Sequence, residues 1–559
     1  MATTRTNFGF SKATLVSMAA LFVILASSNS FAQDKASRAD ARVGVSPSKK
    51  VALTLADAIT MGLENNREIE VERLNIRLNE LDVRAARGAY DPVLESSLFY
   101  DRRTTPVASI LAGGENGRLK SSELTGATSL VERLPWQGAS VQMTFDHNRS
   151  TSTNPFYSLD PQFVTSLSFD FVQPLFRNRQ IDAPRREIKI AKKRLDLSDS
   201  LFRQKAIEII AKVESAYWDL VFARRDEAIR RESVELARAQ LESNKLAAEK
   251  GTIAPLDVVS ARVEVERRTE EAEIALETVQ RAENALKALL LKPDNSELWG
   301  SSVVPSDEPR LDAAEVPQFE EAMRLALQNR PEMEQYRIRG EINKIDVKYF
   351  RDQVKPQIDF IAGYQTAGLS GTKRSATDPI TKLIPGAFDV PEKFIGGYGQ
   401  SLTNMFRNEY RSFRVGVTIS LPVGNRTAKA QLGRALVEGK QVDVERQRAV
   451  QTIEVEVRNA LQAVETARRR FDAARNTRLD AEMQNTGERR RFEAGLSTNF
   501  LVLDRQNALS SARGREVKAL TDFNKAMTEL QRALSTTLTT NNISIAALKD
   551  SDSSAGGKR

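Results

Sequence analysis

Apolar residues recur every seven positions along several long stretches of this chain. Leu195, Phe202, Ile209, Ala216 and Ala223 form one seam, with Ala206, Val213 and Leu220 in the companion position. Val450, Val457, Val464 and Phe471 form a second, beside Ile453, Ala460, Ala467 and Ala474. A third runs through Val258, Val265, Ala272, Val279 and Leu286. A period of 3.5 residues held over several heptads predicts helices that pack as coiled coils. No Gly or Pro falls between Pro184 and Gly251, or between Gly439 and Gly487. Each stretch predicts a helix of about 65 residues, about 100 Å at 1.5 Å per residue.

Turn chemistry predicts that these rods double back. Gly251-Thr252-Ile253-Ala254-Pro255 supplies a helix-ending Gly, a short loop and a Pro at the next helix start. Gly495-Leu496-Ser497-Thr498-Asn499 does the same with hydroxyl and amide N-caps. The return helices run to near Pro293 and Thr537. Upstream, Thr54 before Leu55 and Asp57 resembles a capping box with Asp in place of Glu. Helices there reach about Arg87 and, later in the chain, Phe350.

Between the helices the period changes to two, which predicts strands. Phe413, Val415, Val417, Ile419 and Leu421 alternate with polar or small residues, and Ile358, Phe360 and Tyr364 share one face. Leu167, Phe169 and Phe171 behave alike, and the segment Leu94–Tyr100 alternates less cleanly. Val141, Met143 and Phe145 also alternate.

The chain repeats its own plan. Leu55-Ala-Asp-Ala58 through Glu68-Ile69 aligns with Phe319-Glu-Glu-Ala322 through Glu332-Met333, and the register continues to Pro92 on Pro356 and Tyr100 on Tyr364. Later, Gly251 falls on Gly495. The first copy is the longer, and its extra residues lie mostly between Tyr100 and Gln173. The expected layout is a signal peptide at 1–32, a first repeat at 51–298, a linker at 299–318, a second repeat at 319–540 and a flexible tail at 541–559. In the repeats, strands are expected at about 91–173 and 356–423, and helical hairpins at 184–293 and 426–540.

At the start, Arg5 and Lys12 precede an apolar run from Ala13 to Ala26 and a small-residue exit near Ala32, the pattern of an export signal. The run is shorter than the ~20 residues of a spanning helix, and nothing beyond it is long and apolar enough to span. An exported chain of this kind is either soluble or inserts as β-strands, which hydropathy does not register.

Composition narrows the chemistry. The 559 residues contain no Cys and one His, His147, which excludes thiol nucleophiles, thiolate metal sites and disulfides, and leaves no material for a His-based triad. No cofactor or metal is expected. The 82 basic and 74 acidic residues give a net charge of +8, but the signs are mixed even around Arg468-Arg469-Arg470 and Arg489-Arg490-Arg491. That is a solvated surface, not a nucleic-acid footprint. Gly433 to Lys440 has the wrong spacing for a phosphate loop and lies in a helical pattern. Gly396-Gly397-Tyr398-Gly399 lacks a third Gly and a following helix, and is expected to be a strand-connecting loop.

Four strands cannot close a barrel, so several chains sharing one barrel is the arrangement that satisfies every edge. The stretches LTLADAITMGLENNREI and FEEAMRLALQNRPEM, the QPLFRN strand end, and the turns KGTIAPLDVVSAR and EAGLSTNFLVLDRQNA together resemble the TolC-like outer-membrane efflux proteins over residues 51–540. The resemblance implies a mixed α+β, mainly α fold, with duplicated helical hairpins forming a trimeric periplasmic tunnel. Each chain would give four strands to a twelve-stranded barrel in outer-membrane lipid. It implies a non-enzymatic exit duct of a tripartite efflux or type I secretion system, partnered by a periplasmic adaptor and an inner-membrane pump of the RND or ABC type. The linker would join a belt midway along the tunnel, and the segment between Tyr100 and Gln173 would lie outside the cell.

It also makes the hairpin ends the periplasmic end. Gly251, Thr252, Ile253, Ala254, Gly495, Leu496, Ser497 and Thr498 become adaptor-docking candidates, although Gly and Ser there also suit plain turn-making. Arg478, Asp480, Glu482, Arg489 and Glu493 become candidates for a periplasmic gate, as acidic rings or as ion pairs that hold the tip closed. The alternative of a different class is a soluble periplasmic scaffold of antiparallel coiled coils.

Overall fold

The computed structural model describes residues 44–46, 49–108, 116–292, 296–311, 316–374 and 389–544. The expected export signal and most of the expected tail lie outside these residues. In chain order the elements are β1 (Lys50–Leu53), α1 (Leu55–Asn65), α2 (Arg67–Arg87), β2 (Val93–Pro106), β3 (Arg118–Arg133), β4 (Ser140–Ser152) and β5 (Leu159–Pro174). Next come α3 (Ala183–Glu249), α4 (Pro255–Leu290), α5 (Ser296–Trp299), β6 (Ser302–Pro305), α6 (Phe319–Asn329), α7 (Pro331–Gln353) and β7 (Gln357–Lys373). The chain continues through α8 (Tyr398–Phe406), β8 (Tyr410–Ser420), α9 (Arg426–Glu493), α10 (Asn499–Leu534) and α11 (Thr537–Thr540).

Two compact units are distinguishable. One takes in residues up to Asn66, Lys212–Leu311 and Arg468–Lys525; the other Arg67–Ala211, Asp312–Ala467 and the chain from Ala526. Each draws on both halves of the sequence, and α3 and α9 each contribute to both.

The second unit is built on a sheet ordered β2-β3-β4-β5-β7-β8, antiparallel throughout. It has six strands where four were expected, and the difference is the β3–β4 pairing inserted between β2 and β5. The alternation of Val141, Met143 and Phe145 marks β4, but β3 hides. Its sequence, RLKSSELTGATSLVER, carries small and polar residues on both faces, so no period-two signal stands out. Register places Leu94, Leu130, Met143, Phe169, Tyr364 and Phe413 in one row across the sheet. The next inward rows on that face hold Val141, Phe171, Ala362, Val415, Phe360 and Val417. The opposite face carries Gln142, Thr144, Ser168, Asp170, Gln365, Ser412 and Arg414. The sheet therefore has one apolar and one polar side.

A second difference lies in the connection from β7 to β8. The glycines at 396–399 do not simply join strands. Gly397 is the N-cap of α8, a helix that follows directly and packs on β5 and β7. Gly433 to Lys440 lies within α9.

The helical unit shows why the heptads fold as they do. Val213, Leu220 and Ala223 of α3 and Val265, Val279 and Leu286 of α4 are buried. Thr54 accepts from the Asp57 N–H at 3.1 Å and closes the first turn of α1. Gly62 of α1 sits where an added Cβ would lie 2.9 Å from Val213 Cγ2, so only glycine lets α1 approach α3 so closely. β1 pairs parallel with β6, which the sequence pattern did not predict. Behind that pair lies a buried ion cluster. Lys287 Nζ bonds Glu283 at 2.8 Å and donates to the Trp299 and Ser301 carbonyls at 3.0 and 2.5 Å. Glu283 also accepts from Arg224 at 3.0 Å and from the Val303 N–H at 3.2 Å. Every charge has a partner, so the cluster fixes where the linker crosses α3 and α4.

A second tie involves Arg268, which is 1% exposed and lies 2.8 Å from Glu264 while donating to the Ser233 carbonyl at 3.0 Å. Burial pushes the Glu264 carboxyl up, but hydrogen bonds from Arg267, Arg268 and Asn507 outweigh it and hold the pKa at about 2, below the ordinary 4.5.

Two outcomes follow. Lys287→Met leaves Glu283 buried without its ammonium partner and is expected to cost about 3–5 kcal/mol, read as a lowered denaturant midpoint of the helical signal. Glu264, depressed in the folded state, adds stability that is complete above its unfolded pKa and disappears as pH falls from about 4.5 toward 2. From 4.5 to about 2, at about 1.4 kcal/mol per pKa unit, the upper bound is about 3.5 kcal/mol, and solvent screening around the partly exposed Arg267 lowers it. Unfolding midpoints across that range are expected to fall less steeply for Glu264→Gln than for the parent chain.

Candidate functional site

Three features could serve transport: the edges of the sheet, the exposed apolar stripes on the helices beside it, and the ends of the helical hairpins. The sheet's outer strands, β2 and β8, each pair on one side only. Every residue of β8 is exposed, with Phe413 at 81%. In β2 only Ser97 is less than exposed. Their unpaired N–H and C=O groups are a template for another strand.

In the same unit α2 presents Val71, Leu74, Leu78 and Leu81, all exposed and spaced 3, 4 and 3 apart along one stripe. On α9, Val437 and Val444 repeat this exposure one heptad apart. Stripes at coiled-coil spacing that stay exposed among the described residues mark surfaces for another helix.

The hairpin ends use one device twice. Gly251 and Gly495 have φ of +72° and +76°, a conformation that favours glycine. The Thr252 N–H reaches the Ala247 carbonyl at 2.9 Å and the Gly251 N–H reaches Ala248 at 3.0 Å. Leu496 to Arg491 at 2.8 Å and Gly495 to Phe492 at 2.9 Å repeat the pattern. This is the Schellman closure of a helix end, so the two glycines have a structural reason that needs no partner. Thr252, Ala254, Leu496 and Thr498 are exposed, while Ile253 and Ser497 are partly covered. Just beyond each turn, Leu256 and Phe500 occupy the same position in the two copies and are 72% and 75% exposed. Sequence reasoning missed both; a large apolar residue in the first turn of each return helix is the signal that marks them.

The proposed gate residues divide. Arg478 pairs with Glu482 at 2.8 Å and Glu516 at 2.5 Å, and Arg513 bridges Glu482 at 3.6 Å and Glu232 at 3.2 Å. Burial disfavours the charge of Arg478, but Glu482 and Glu516 outweigh it and its pKa is raised. Arg478 and Glu482 thus belong to a network that links α9, α10 and α3. Asp480, Arg489 and Glu493 are exposed and make no ion pair among the described residues.

Residues 137–290 and 322–536 match the outer membrane efflux protein family, and the chain belongs to that family. It is thus an outer-membrane efflux channel protein and not an enzyme. Solved structures of similar fold include a membrane protein from Pseudomonas aeruginosa, 21% identical with a TM-score of 0.59, covering 86% of this chain and 90% of that one. The CmeC outer membrane channel of Campylobacter jejuni is 14% identical with a TM-score of 0.59, covering 88% of this chain and 90% of that one. The open-state MtrE outer membrane channel of Neisseria gonorrhoeae is 17% identical with a TM-score of 0.57, covering 86% and 88%. At these identities the likeness is one of fold. No curated protein sequence matches the chain.

The division of the gate candidates has a measurable outcome. In reconstituted protein, Asp480→Asn is expected to lower cation preference, measured as a shift in reversal potential, without loss of stability. Glu482→Gln is expected to weaken the α9–α10 contact instead, by about 1 kcal/mol or less because the pairs are partly exposed. Unchanged selectivity in Asp480→Asn removes that residue from the conduction path.

Proposed function

We propose that this chain is the exit duct of a tripartite efflux or type I secretion system. It conducts substrates passively across the periplasm and outer membrane, with an inner-membrane pump and a periplasmic adaptor as partners. The observation that carries the reading is the sheet: one face apolar, the other polar, and both edges open. Lipid offers no water to satisfy an edge, so a membrane sheet must close. Six strands are fewer than the ~8 of the smallest barrels, so closure needs further copies of the chain.

The geometry of closure is simple. With an even number of antiparallel strands, β8 runs opposite to β2, and β8 of one copy pairs antiparallel with β2 of the next. Three copies of six strands give eighteen, in place of the twelve expected from sequence, an even number in the range of water-filled barrels. Barrel diameter grows roughly linearly with strand number, so this pore is about half as wide again as one of twelve strands. The stripe on α2 would meet α9 of a neighbouring copy, which gives the helices the same ring order as the strands. In this reading the polar face lines the lumen, and the hairpin ends, with Gly251–Ala254, Gly495–Thr498, Leu256 and Phe500, receive the adaptor. Asp480, Arg489 and Glu493 line the periplasmic mouth, while Arg478 and Glu482 hold its wall.

The absence of cysteine makes the test direct. Ser412→Cys on β8 is combined in turn with Ser97→Cys, Phe99→Cys and Asp101→Cys on β2, all on the polar face. Oxidation of detergent-extracted membranes is expected to give a covalent ladder ending at three chains for at least one pairing, and planar-bilayer conductance should exceed that of twelve-stranded relatives. Recovery of the processed chain as a monomer in osmotic-shock fluid defeats the proposal and favours a soluble scaffold.

A further inference from the structure

The apolar face of the sheet is short at β7. On β7 it runs from Ile358 through Phe360 and Ala362 to Tyr364. Six residue steps at ~3.3 Å, tilted about 40°, rise about 15 Å, whereas an apolar belt is about 25 Å tall. Beyond Tyr364 the same face of β7 carries Thr366, Gly368 and Ser370, with Thr165 of β5 opposite Gly368. Small hydroxyl residues and a bare backbone are a poor surface for hydrocarbon.

α8 lies on that stretch, and its polarity is inverted. The side facing the sheet is polar: Ser401 and Asn404 are buried with Met405. Thr165 and Ser401 hydroxyls meet at 2.9 Å, Thr366 donates to the Met405 carbonyl at 2.8 Å, and Ser370 donates to the Gly397 carbonyl at 2.8 Å. Asn404 donates to the Leu369 carbonyl at 2.9 Å. A Cβ on Gly368 would lie 2.0 Å from the Ser401 carbonyl oxygen, so the helix rests on the strand itself. The outward side carries Phe406, 73% exposed, and Tyr398, 38% exposed, with Leu402 partly covered between them, and the Thr403 hydroxyl is turned back to the Gly399 carbonyl at 3.0 Å. This arrangement buries Ser401 and Asn404 beside Met405 and leaves Phe406 exposed, against the ordinary pattern of an amphipathic helix in water.

We propose that α8 is a lipid-facing collar that completes the apolar belt at the outer leaflet, a reading that rests on the barrel proposed above. It replaces the polar patch Thr165–Thr366–Gly368–Ser370 with Tyr398, Leu402 and Phe406, raising the belt on β7 from Tyr364 to Ser370. Its partner is the outer-leaflet lipid, whose acyl chains meet Phe406 and Leu402 and whose anionic headgroups meet basic residues at the same height. Arg149 and Arg411 lie on the apolar face of the sheet in the Ser370 and Thr366 rows, and Arg407 ends α8. All three are exposed and make no ion pair among the described residues. Tyr398, stacked edge-on against His147 and Phe163, is placed as an interfacial aromatic.

The test uses single cysteines in the otherwise cysteine-free full chain, labelled with an environment-sensitive fluorophore in phosphatidylglycerol–phosphatidylcholine proteoliposomes. Brominated acyl chains quench from lipid and iodide quenches from water. Met143→Cys on the apolar face and Thr144→Cys on the polar face are the controls. Phe406→Cys is expected to be quenched by brominated lipid as Met143→Cys is, and to be shielded from iodide. Adding Gly368→Val, which pushes α8 off β7, is expected to abolish that lipid quenching while Met143→Cys keeps it. Quenching of Phe406→Cys by iodide alone, with Met143→Cys still quenched by lipid, overturns the collar and leaves the barrel standing. Shielding from both quenchers hands the face to a neighbouring copy and also overturns it. Failure of Met143→Cys to meet lipid overturns the barrel reading itself.

Discussion

The demand of backbone amides for partners governs this protein. A sheet with two unpaired edges is tolerable in water, where solvent can bond the exposed groups, and untenable in hydrocarbon, where each orphan costs several kcal/mol. β2 and β8 are such edges, one at each end of an otherwise paired six-stranded sheet. The remaining features agree with the closure proposed above: one face of the sheet is apolar and the other polar, and α2 and α9 carry exposed apolar stripes. Charge has little part in this. Many ion pairs on the long helices are i,i+3 or i,i+4 contacts, and the exposed ones, such as Arg238–Glu235 and Arg281–Glu277, contribute tenths of a kcal/mol.

Where charge is buried it has a different task. The cluster of Arg224, Glu283 and Lys287 lies where the linker crosses α3 and α4, and the pair of Arg268 with Glu264 lies between the helices, against Ser233 of α3 and Asn507 of α10. Such groups give less net stability than apolar packing of equal volume would, but they tolerate only one alignment. In a stack of long helices with many near-equivalent heptad registers, a buried charge paired at one level favours the register that pairs it.

Much of this was legible in the sequence because it is periodic or local. The heptads of Phe202, Ile209, Val457 and Val464, the Thr54 cap, and the glycines at 251 and 495 each carry their meaning within a few residues. What escaped is what depends on distant partners. β1 and β6 are four residues each, and nothing near Lys50 announces a partner at Ser302. β3 has no face of its own until β2 and β4 flank it. α8 escaped for a sharper reason: YGQSLTNMF has a glycine inside it and the wrong polarity for a water-facing helix, so patterning rules for soluble proteins exclude it. The gate candidates show the opposite limit. Arg478 and Asp480 look alike in sequence, and only the positions of Glu516 and Arg513 separate a wall from an exposed surface.

The β3–β4 insertion occurs in one half of the duplicated plan and not in the other. Because it is a hairpin, it leaves and re-enters the sheet at the same level, so β5 still delivers the chain to α3 from the same side as before. A single added strand would reverse that polarity and start α3 from the opposite end of the sheet. Strand number therefore changes by twos wherever the connections at the ends of the sheet are kept, and in the barrel proposed above each added hairpin would widen the pore without reversing the direction of α3.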